Sequence, residues 1–395
     1  MEILKILHVH NFYIQHGGED TVFAAEVALL IDHGHIVIKY TDNNTRIQEM
    51  SPLTVSIQTI WSQPSYNRLL GVLQEEKPDL VHFHNTFPLI SPAAYYACRA
   101  RNVPVIQSLD NPRLVCPAAT FYRNGKLCQD CLGMTPPLPG VIHTCYHHSR
   151  SQTAVIATML TFHRWIKTWQ NLVDTYLVAT EFYKQKFIEA GLPAGKIIVK
   201  PHSIKFDSVP EFSDQKGKYV LFIGRLDPEK GIRTLLAAWM NLAIPLIIRG
   251  DGKLEQESQD FIHVHNIKCA EIIQRLTEEE LAQLIKNARF LIWPSEGFYE
   301  TFGIVAIKCF AQGIPVVGSN IGVMTEIVKN GETGLLFNPG DPVDLAAKVV
   351  WLWNHPEESD RMGRNARKEY EDKYTPERNY QMLMKIYEKV MVGSK

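Results

Sequence analysis

Short apolar runs alternate along the chain with longer stretches whose apolar residues recur every three or four positions. Residues 3–9 (Ile-Leu-Lys-Ile-Leu-His-Val) read as a buried first strand. Gly17 and Gly18 follow, then Val22, Phe23, Val27, Leu29 and Leu30 at helical spacing, Gly34 as a helix stop, and a second strand at 36–38. Strand, glycine loop, helix, strand is the opening of a doubly wound parallel sheet. The alternation continues with a strand at 79–83, a helix at 92–100 and a strand at 103–109. Between residues 111 and 149 it stops. It resumes with an apolar helix over 153–171, strands at 177–179 and 197–199, and a helix at 182–190 between them.

Residues 201–217 are polar, turn-prone and aperiodic, and are predicted to link two domains. A second series then places strands at 219–223, 246–248, 290–293 and 316–318, with a helical region from Asp341. The last helix starts at Pro376 and carries Tyr380, Leu383, Ile386, Tyr387 and Val390 on one stripe. This pattern predicts an α/β protein of two doubly wound parallel-sheet domains, residues 1–205 and 214–374.

The bulk numbers exclude more than they select. A chain of 395 residues holds two ordinary domains, and 45% hydrophobic with 21% charged residues is ordinary globular composition. A net charge of -1 gives no argument for nucleic acid as a partner. No apolar run reaches the roughly 18 residues that span a bilayer. Met1-Glu2-Ile3-Leu4-Lys5 lacks a basic n-region, so no signal peptide is read and cytoplasmic residence is expected. The seven cysteines are then expected as thiols or metal ligands.

The chemistry gathers at residues 293–319. A strand ends at Trp293, an acidic, glycine-containing loop follows, and a helix over 303–312 leads to a strand at 315–318. Such a loop offers backbone N–H groups and a helix N-terminus to an anion. Glu300 at its mouth would repel phosphate, so its partner is expected to be rich in hydroxyls. A nucleotide sugar satisfies both. Gly224 to Gly231 (Gly-Arg-Leu-Asp-Pro-Glu-Lys-Gly) also follows a buried strand and opens a helix, where open α/β sheets bind ligands. Arg225, with a forked donor set, and Lys230, a point charge, suit a diphosphate. The plainer alternatives are a surface Arg with a capping Lys, and a first-turn Glu300 that serves its helix.

These stretches resemble the signature of retaining GT-B glycosyltransferases of family 4 (glycosyl transferases group 1). The resemblance rests on Glu300-Thr301-Phe302-Gly303, on Gly313-Ile314-Pro315-Val316-Val317, on Gly17-Gly18, on Gly224 to Gly231, on Gly250-Asp251-Gly252, and on Glu326 to Leu336, in that family's order. It implies a GT-B fold whose terminal helix, 375–395, returns to the first domain. It implies transfer of a sugar from a nucleoside diphosphate sugar, UDP- or GDP-linked, to a glycan or lipid-linked acceptor, with no metal required for catalysis. The donor would be held by Gly17, Gly18, Gly224, Arg225, Lys230, Gly250, Glu300, Thr301, Phe302, Gly303, Ile304 and Lys308. Catalysis would fall to Glu300, Asp110, Arg225 and Lys230.

Two positions depart from the family. Its second Glu falls on Lys308, which has three donors and no acceptor for ribose hydroxyls. Lys308 is read as donating to ribose or phosphate, as pairing with Glu326, or as marking a weak or lost donor site. The family's His near the anomeric centre falls on Asp110, which could stabilise positive charge there or be a turn residue beside Asn111-Pro112. A catalytically weak or inactive binding relative is therefore the rival reading. A phosphorylase or epimerase of the same fold is a second rival.

Three further features complete the reading. His8 and His10, and His82 and His84, share strand faces and are expected to line the cleft, hydrogen-bonding sugar or backbone rather than metal. His84, Asn85, Asn111 and Arg113 are placed on the acceptor side. Cys116, Cys128, Cys131 and Cys145 fall in the interruption at 111–149, and the C-x-x-C pair leaves a structural zinc site and unpaired thiols both open. The helix at 153–171 mixes Phe162, Trp165 and Trp169 with His163, Arg164 and Lys167, so core packing and peripheral membrane contact both remain.

Overall fold

A computed structural model describes residues 2–14, 17–206, 217–274, 276–297 and 300–393. The chain forms two compact units. The first holds Met1–Phe121, Cys128–Pro201 and Asn379–Lys395; the second holds Tyr122–Leu127 and His202–Arg378.

The first unit contains strands β1 (Lys5–Phe12), β2 (Ile36–Asn43), β3 (Leu80–Phe83) and β4 (Val105–Ser108). The hairpin β5 (Tyr122–Arg123) and β6 (Lys126–Leu127) comes next along the chain and belongs with the second unit. The first unit is completed by β7 (Thr175–Val178) and β8 (Ile197–Val199). Its sheet runs β2-β1-β3-β4-β7-β8, with every pairing parallel. The strand order reverses between β1 and β3, so the loops after these strands diverge and open a crevice at their carboxyl ends. The terminal helix Pro376–Gly393 lays Tyr380, Leu383, Met384, Ile386, Tyr387 and Val390 against Leu4, Ile6, Leu80, Ile106 and Leu177 of this sheet.

The second unit repeats the plan with β9 (Tyr219–Ile223), β10 (Leu246–Arg249), β11 (Ala270–Ile273), β12 (Ala288–Trp293), β13 (Val316–Ser319) and β14 (Gly334–Phe337). The order is β11-β10-β9-β12-β13-β14, all parallel, and it reverses between β9 and β12. All six residues of β12 are buried. Helices cover both faces of such a sheet, which is why its central strands read as continuous apolar runs.

Some elements differ from the sequence reading. The helix expected over 153–171 is two helices, Arg150–Trp165 and Thr168–Leu172, divided where Lys167 adopts φ 57°. Trp165, at the end of the first, is 79% exposed, whereas Trp169 is buried. Helices Pro52–Ile60 and Gln63–Glu76 were not anticipated, although Ser51 and Ser62 cap them and each has a proline in its first turn. The strand at β11 and the helix Glu278–Lys286 were also missed, the latter despite a capping box of Thr277 and Glu280. Most of the expected linker, residues 207–216, lies outside the described residues. Among the described residues no helix is long and apolar enough to cross a membrane.

Candidate functional site

In the second unit, the two loops that follow β9 and β12 meet at the point where the strand order reverses. Two glycines permit the approach. Gly231 has φ 71°, and a side-chain carbon on it would lie 1.9 Å from the Pro294 carbonyl oxygen. Gly303 has φ 90°, and a carbon there would lie 2.2 Å from the Trp293 ring. No other residue type fits either position. Gly224 donates to the Arg249 carbonyl at 3.1 Å, which ties the loop after β9 to the strand β10 that leads into Gly250.

This packing brings Lys230 and Glu300 into contact, with the ammonium on Glu300 Oε1. The Ser295 hydroxyl donates to the same oxygen at 3.0 Å. Burial pushes the Glu300 carboxyl up, but the Lys230 charge and the hydrogen bonds from Lys230, Ser295 and Trp293 hold it below the ordinary range, so it is ionised. Arg225 is half-exposed and turns toward its own loop, 2.9 Å from Asp227 Oδ2 and 3.1 Å from Glu229 Oε1. Thr301 and Phe302 follow Glu300, and Phe302 is buried edge-on against His202 and Tyr374. The helix Ile304–Ala311 then begins at Gly303, so its first N–H groups leave the same loop. The arrangement sets a cation and a carboxylate in contact, beside the first N–H groups of the helix.

Lys308 lies in the last turn of that helix, with its ammonium 2.6 Å from Glu278 Oε2. The pairing with Glu326 offered by the sequence is not the one formed. Glu278 opens a helix that the sequence reading did not recognise, so its nearness could not be anticipated.

In the first unit, Gly17 precedes the helix Gly18–Asp32, and its N–H donates to Asp20 Oδ2 at 3.0 Å. Asp110 follows β4. Its neighbour Asn111 accepts from the Arg113 N–H at 2.7 Å and donates to Glu19 Oε1. The Tyr13 hydroxyl donates to Glu19 Oε2 at 3.0 Å. Burial and then the Asp110 charge raise the Glu19 carboxyl to about 7, against hydrogen bonds from Asn111 and Tyr13 and the Arg113 charge. Glu19 was missed by sequence reasoning; the signal available was an acid in the first helical turn after a Gly-Gly loop. Arg113 is held by the Pro117 carbonyl at 2.6 Å and lies over the Phe87 and Tyr146 rings, at 4.4 and 5.2 Å from their centroids.

The histidines correct an expectation. His8, His10, His82, His84 and Asn85 are all buried and so do not line an open surface. Asn85 closes on the Asn11 carbonyl and the Phe87 N–H, at 2.7 and 2.9 Å. His8 Nδ1 and His84 Nε2 lie 3.2 Å apart, and His82 bonds Tyr387 and Ser108 at 2.8 and 2.9 Å. Burial, then the neighbouring histidines, lower the affinity of His8 for a proton well below normal. Alternation along a strand placed these side chains on one face correctly. It carried no information on what covers that face, which is the helix Gly18–Asp32 through Phe23 and Glu26 and, at His82, the terminal helix through Tyr387. Cys116, Cys128, Cys131 and Cys145 are all free thiols.

Comparison with known proteins gives a consistent picture. Residues 13–207 match the model for Glycosyltransferase Family 4, and residues 203–369 match that for Glycosyl transferases group 1. An uncharacterized glycosyltransferase of Methanocaldococcus jannaschii is 32% identical over 170 residues, 43% of this chain and 48% of that protein. The D-rhamnosyltransferase WbpZ of Pseudomonas aeruginosa is 30% identical over 159 residues, 40% of this chain and 42% of that protein. The matched region is thus under half the length of each of these relatives. Among solved structures, HepE of Anabaena in complex with UDP superposes with a TM-score of 0.71 at 16% identity, covering 98% of this chain and 100% of that one. Two family models that together run from residue 13 to 369, on a pair of parallel Rossmann-like sheets, establish that this chain belongs to the group 1, family 4 glycosyltransferases of the GT-B fold.

Proposed function

We propose that this chain transfers a sugar from a UDP- or GDP-sugar to a hydroxyl of a glycan or lipid-linked acceptor, with retention of anomeric configuration and without a catalytic metal. The observation that carries the reading is the Lys230–Glu300 contact, which sets a cation and an ionised carboxylate side by side at the switch point of the second sheet. Arg225 and Lys230 take the diphosphate, and N–H groups from Thr301 to Ile304 take further oxygens. Gly224 and Gly250 keep the adjoining loops free of side chains. Glu300 accepts from hydroxyls of the sugar. The bond from the anomeric carbon to the diphosphate oxygen breaks, and the two cations stabilise the charge that leaves with it. The acceptor oxygen adds from the same face, and its proton passes to the departing phosphate oxygen. Asp110 is assigned to the positive charge that develops on the sugar ring. Lys308, engaged by Glu278, leaves the ribose to other groups.

Incubating the full chain with a panel of UDP-, GDP- and ADP-sugars tests this. Slow sugar release from one donor, with calorimetric binding of the matching nucleoside diphosphate, is the expected result. Failure of all three diphosphates to bind at millimolar concentration would overturn the proposal. Binding without any release would favour the inactive relative to which Lys308 and Asp110 point.

A further inference from the structure

Six large apolar side chains stand in water around one helix of the first unit. They are Leu53, Ile57, Met134, Leu138, Ile142 and Trp165, exposed between 44% and 79%. Single exposed apolar residues are ordinary, but a group of them around one element marks a surface that meets something.

The helix Arg150–Trp165 holds the group together, because the helices Pro52–Ile60 and Leu138–Ile142 both pack on it. Leu53 and Ile57 are four residues apart, as are Leu138 and Ile142, so each of these helices turns one apolar face outward. Trp165 stands between them. On one side of it His163 Nε2 donates at 2.8 Å to the Ile60 carbonyl, at the end of the first of these helices. On the other, Arg164 donates to the Met134 carbonyl and, at 3.2 Å, to Thr135 Oγ1, in the segment that leads into the second. The core does not need the six: Arg150–Trp165 packs inward through Ile156, Met159, Leu160 and His163.

The charges select the occupant. No Asp or Glu falls between Asp130 and Asp174, and none between Glu49 and Glu75, in a chain where these types make up 42 of 395 residues. The exposed ionisable groups from 131 to 173 are Arg150, Lys167, His143, His147 and His148. Arg164 is turned inward to backbone carbonyls. A second copy of the chain on this face would set cation against cation. An anionic surface complements it. Trp165 and Lys167, two residues apart, make the aromatic and basic pairing that suits the headgroup level of a bilayer. Among the described residues no helix can cross a membrane, so such contact is with its surface.

We propose that the face centred on Trp165 docks on an anionic lipid membrane, with the apolar side chains at the headgroup boundary and Arg150 and Lys167 against lipid phosphates. The inference stands apart from the proposed donor chemistry, since a chain that releases no sugar would still bind.

The test is co-sedimentation of the full chain with vesicles of phosphatidylcholine containing about one-third phosphatidylglycerol, beside vesicles of phosphatidylcholine alone. Binding to the mixed vesicles is expected to be at least about tenfold tighter and to weaken as salt is added. Trp165→Ala is expected to weaken it by about tenfold, and R150Q/K167Q by about fivefold for each charge removed. Val264→Ser, at a position 73% exposed in the second unit, is expected to change nothing. All these side chains are exposed, so the variants should keep the wild-type unfolding transition. Quenching of wild-type tryptophan fluorescence by brominated lipid, reduced in W165F, is the second readout. Failure to bind the mixed vesicles, equal binding to both kinds, wild-type binding by W165A, or a loss shared with V264S would each overturn the proposal. So would self-association that depends on Trp165 and occurs without vesicle binding, which would give the face to a second copy.

Discussion

Each unit of this protein contains a lysine paired with a glutamate below the surface, and the two pairs differ in enclosure. Lys200 and Glu26, in the first unit, are 2.8 Å apart with side chains 3% and 4% exposed. Asn379 takes a second Lys200 bond at 3.2 Å, and His82 Nδ1 and His84 Nε2 stand 2.9 and 3.5 Å from the other Glu26 oxygen. Lys230 and Glu300, in the second unit, are 14% and 17% exposed and have Ser295 beside them. In both cases burial pushes the carboxyl up, and the lysine with the neighbouring hydrogen bonds holds it below the ordinary range. The closed pair is shut away from water, so exchange with a ligand would strand a charge in a dry interior. The half-open pair retains access to water, and each partner can be handed to a ligand group of opposite character. Enclosure, rather than residue type, separates a structural ion pair from one suited to binding.

The largest effect that tests this contrast is on stability. Glu26→Gln leaves the Lys200 charge buried without its counter-ion and is expected to cost about 3–5 kcal/mol in denaturant unfolding. A loss below about 1 kcal/mol would mean the first pair is not closed in solution. Next is Lys230→Ala. Under the proposed function, turnover of the donor should fall by about 100- to 1,000-fold while stability changes by less than about 1 kcal/mol. If K230A unfolds as readily as E26Q, the distinction between the pairs fails.

The smallest effect concerns Glu19, a part-buried carboxyl with no lysine of its own. Its pKa in the fold is about 7, above the ordinary 4.5, so the folded chain holds a proton that the unfolded chain has released. Its carboxylate therefore costs stability as pH rises from about 4.5 through 7, on the order of 1 kcal/mol after allowance for partial exposure. Comparing E19Q with wild type between pH 4.5 and 8 should show E19Q relatively more stable toward the upper end. The charged groups that face Glu19, namely Asp110 and Arg113, are unchanged by the substitution. Parallel stability curves for the two proteins would rule out the raised carboxyl.

Much of the fold could be read from residues 3–9, 219–223 and 290–293, because strands covered on both faces must be apolar throughout. The short strands β11 and β14 carried no comparable run, and the helix Glu278–Lys286 opens on three consecutive acids that mask its apolar face. At the candidate site, the loop after β12 and its glycines were legible because they answer to local backbone geometry. Asp110 and Asn111 were legible as the end of a strand, but Glu19 was not legible as their neighbour. That His82 is sealed by Tyr387 of the terminal helix, 305 residues further along the chain, is announced by no local pattern.

The amino-acid sequence by itself determined the alternation of strand and helix, the glycine positions where two loops can touch, and the charged residues near strand ends. Those features follow from periodicity and backbone sterics, which act over a few residues. Only the tertiary structure decided that Lys230 meets Glu300 across 70 residues, that Lys200 meets Glu26 across 174, and that Lys308 meets Glu278 rather than Glu326. Coulomb attraction depends on separation in space and on the water left around the charges, and neither quantity is written in the order of residues along the chain.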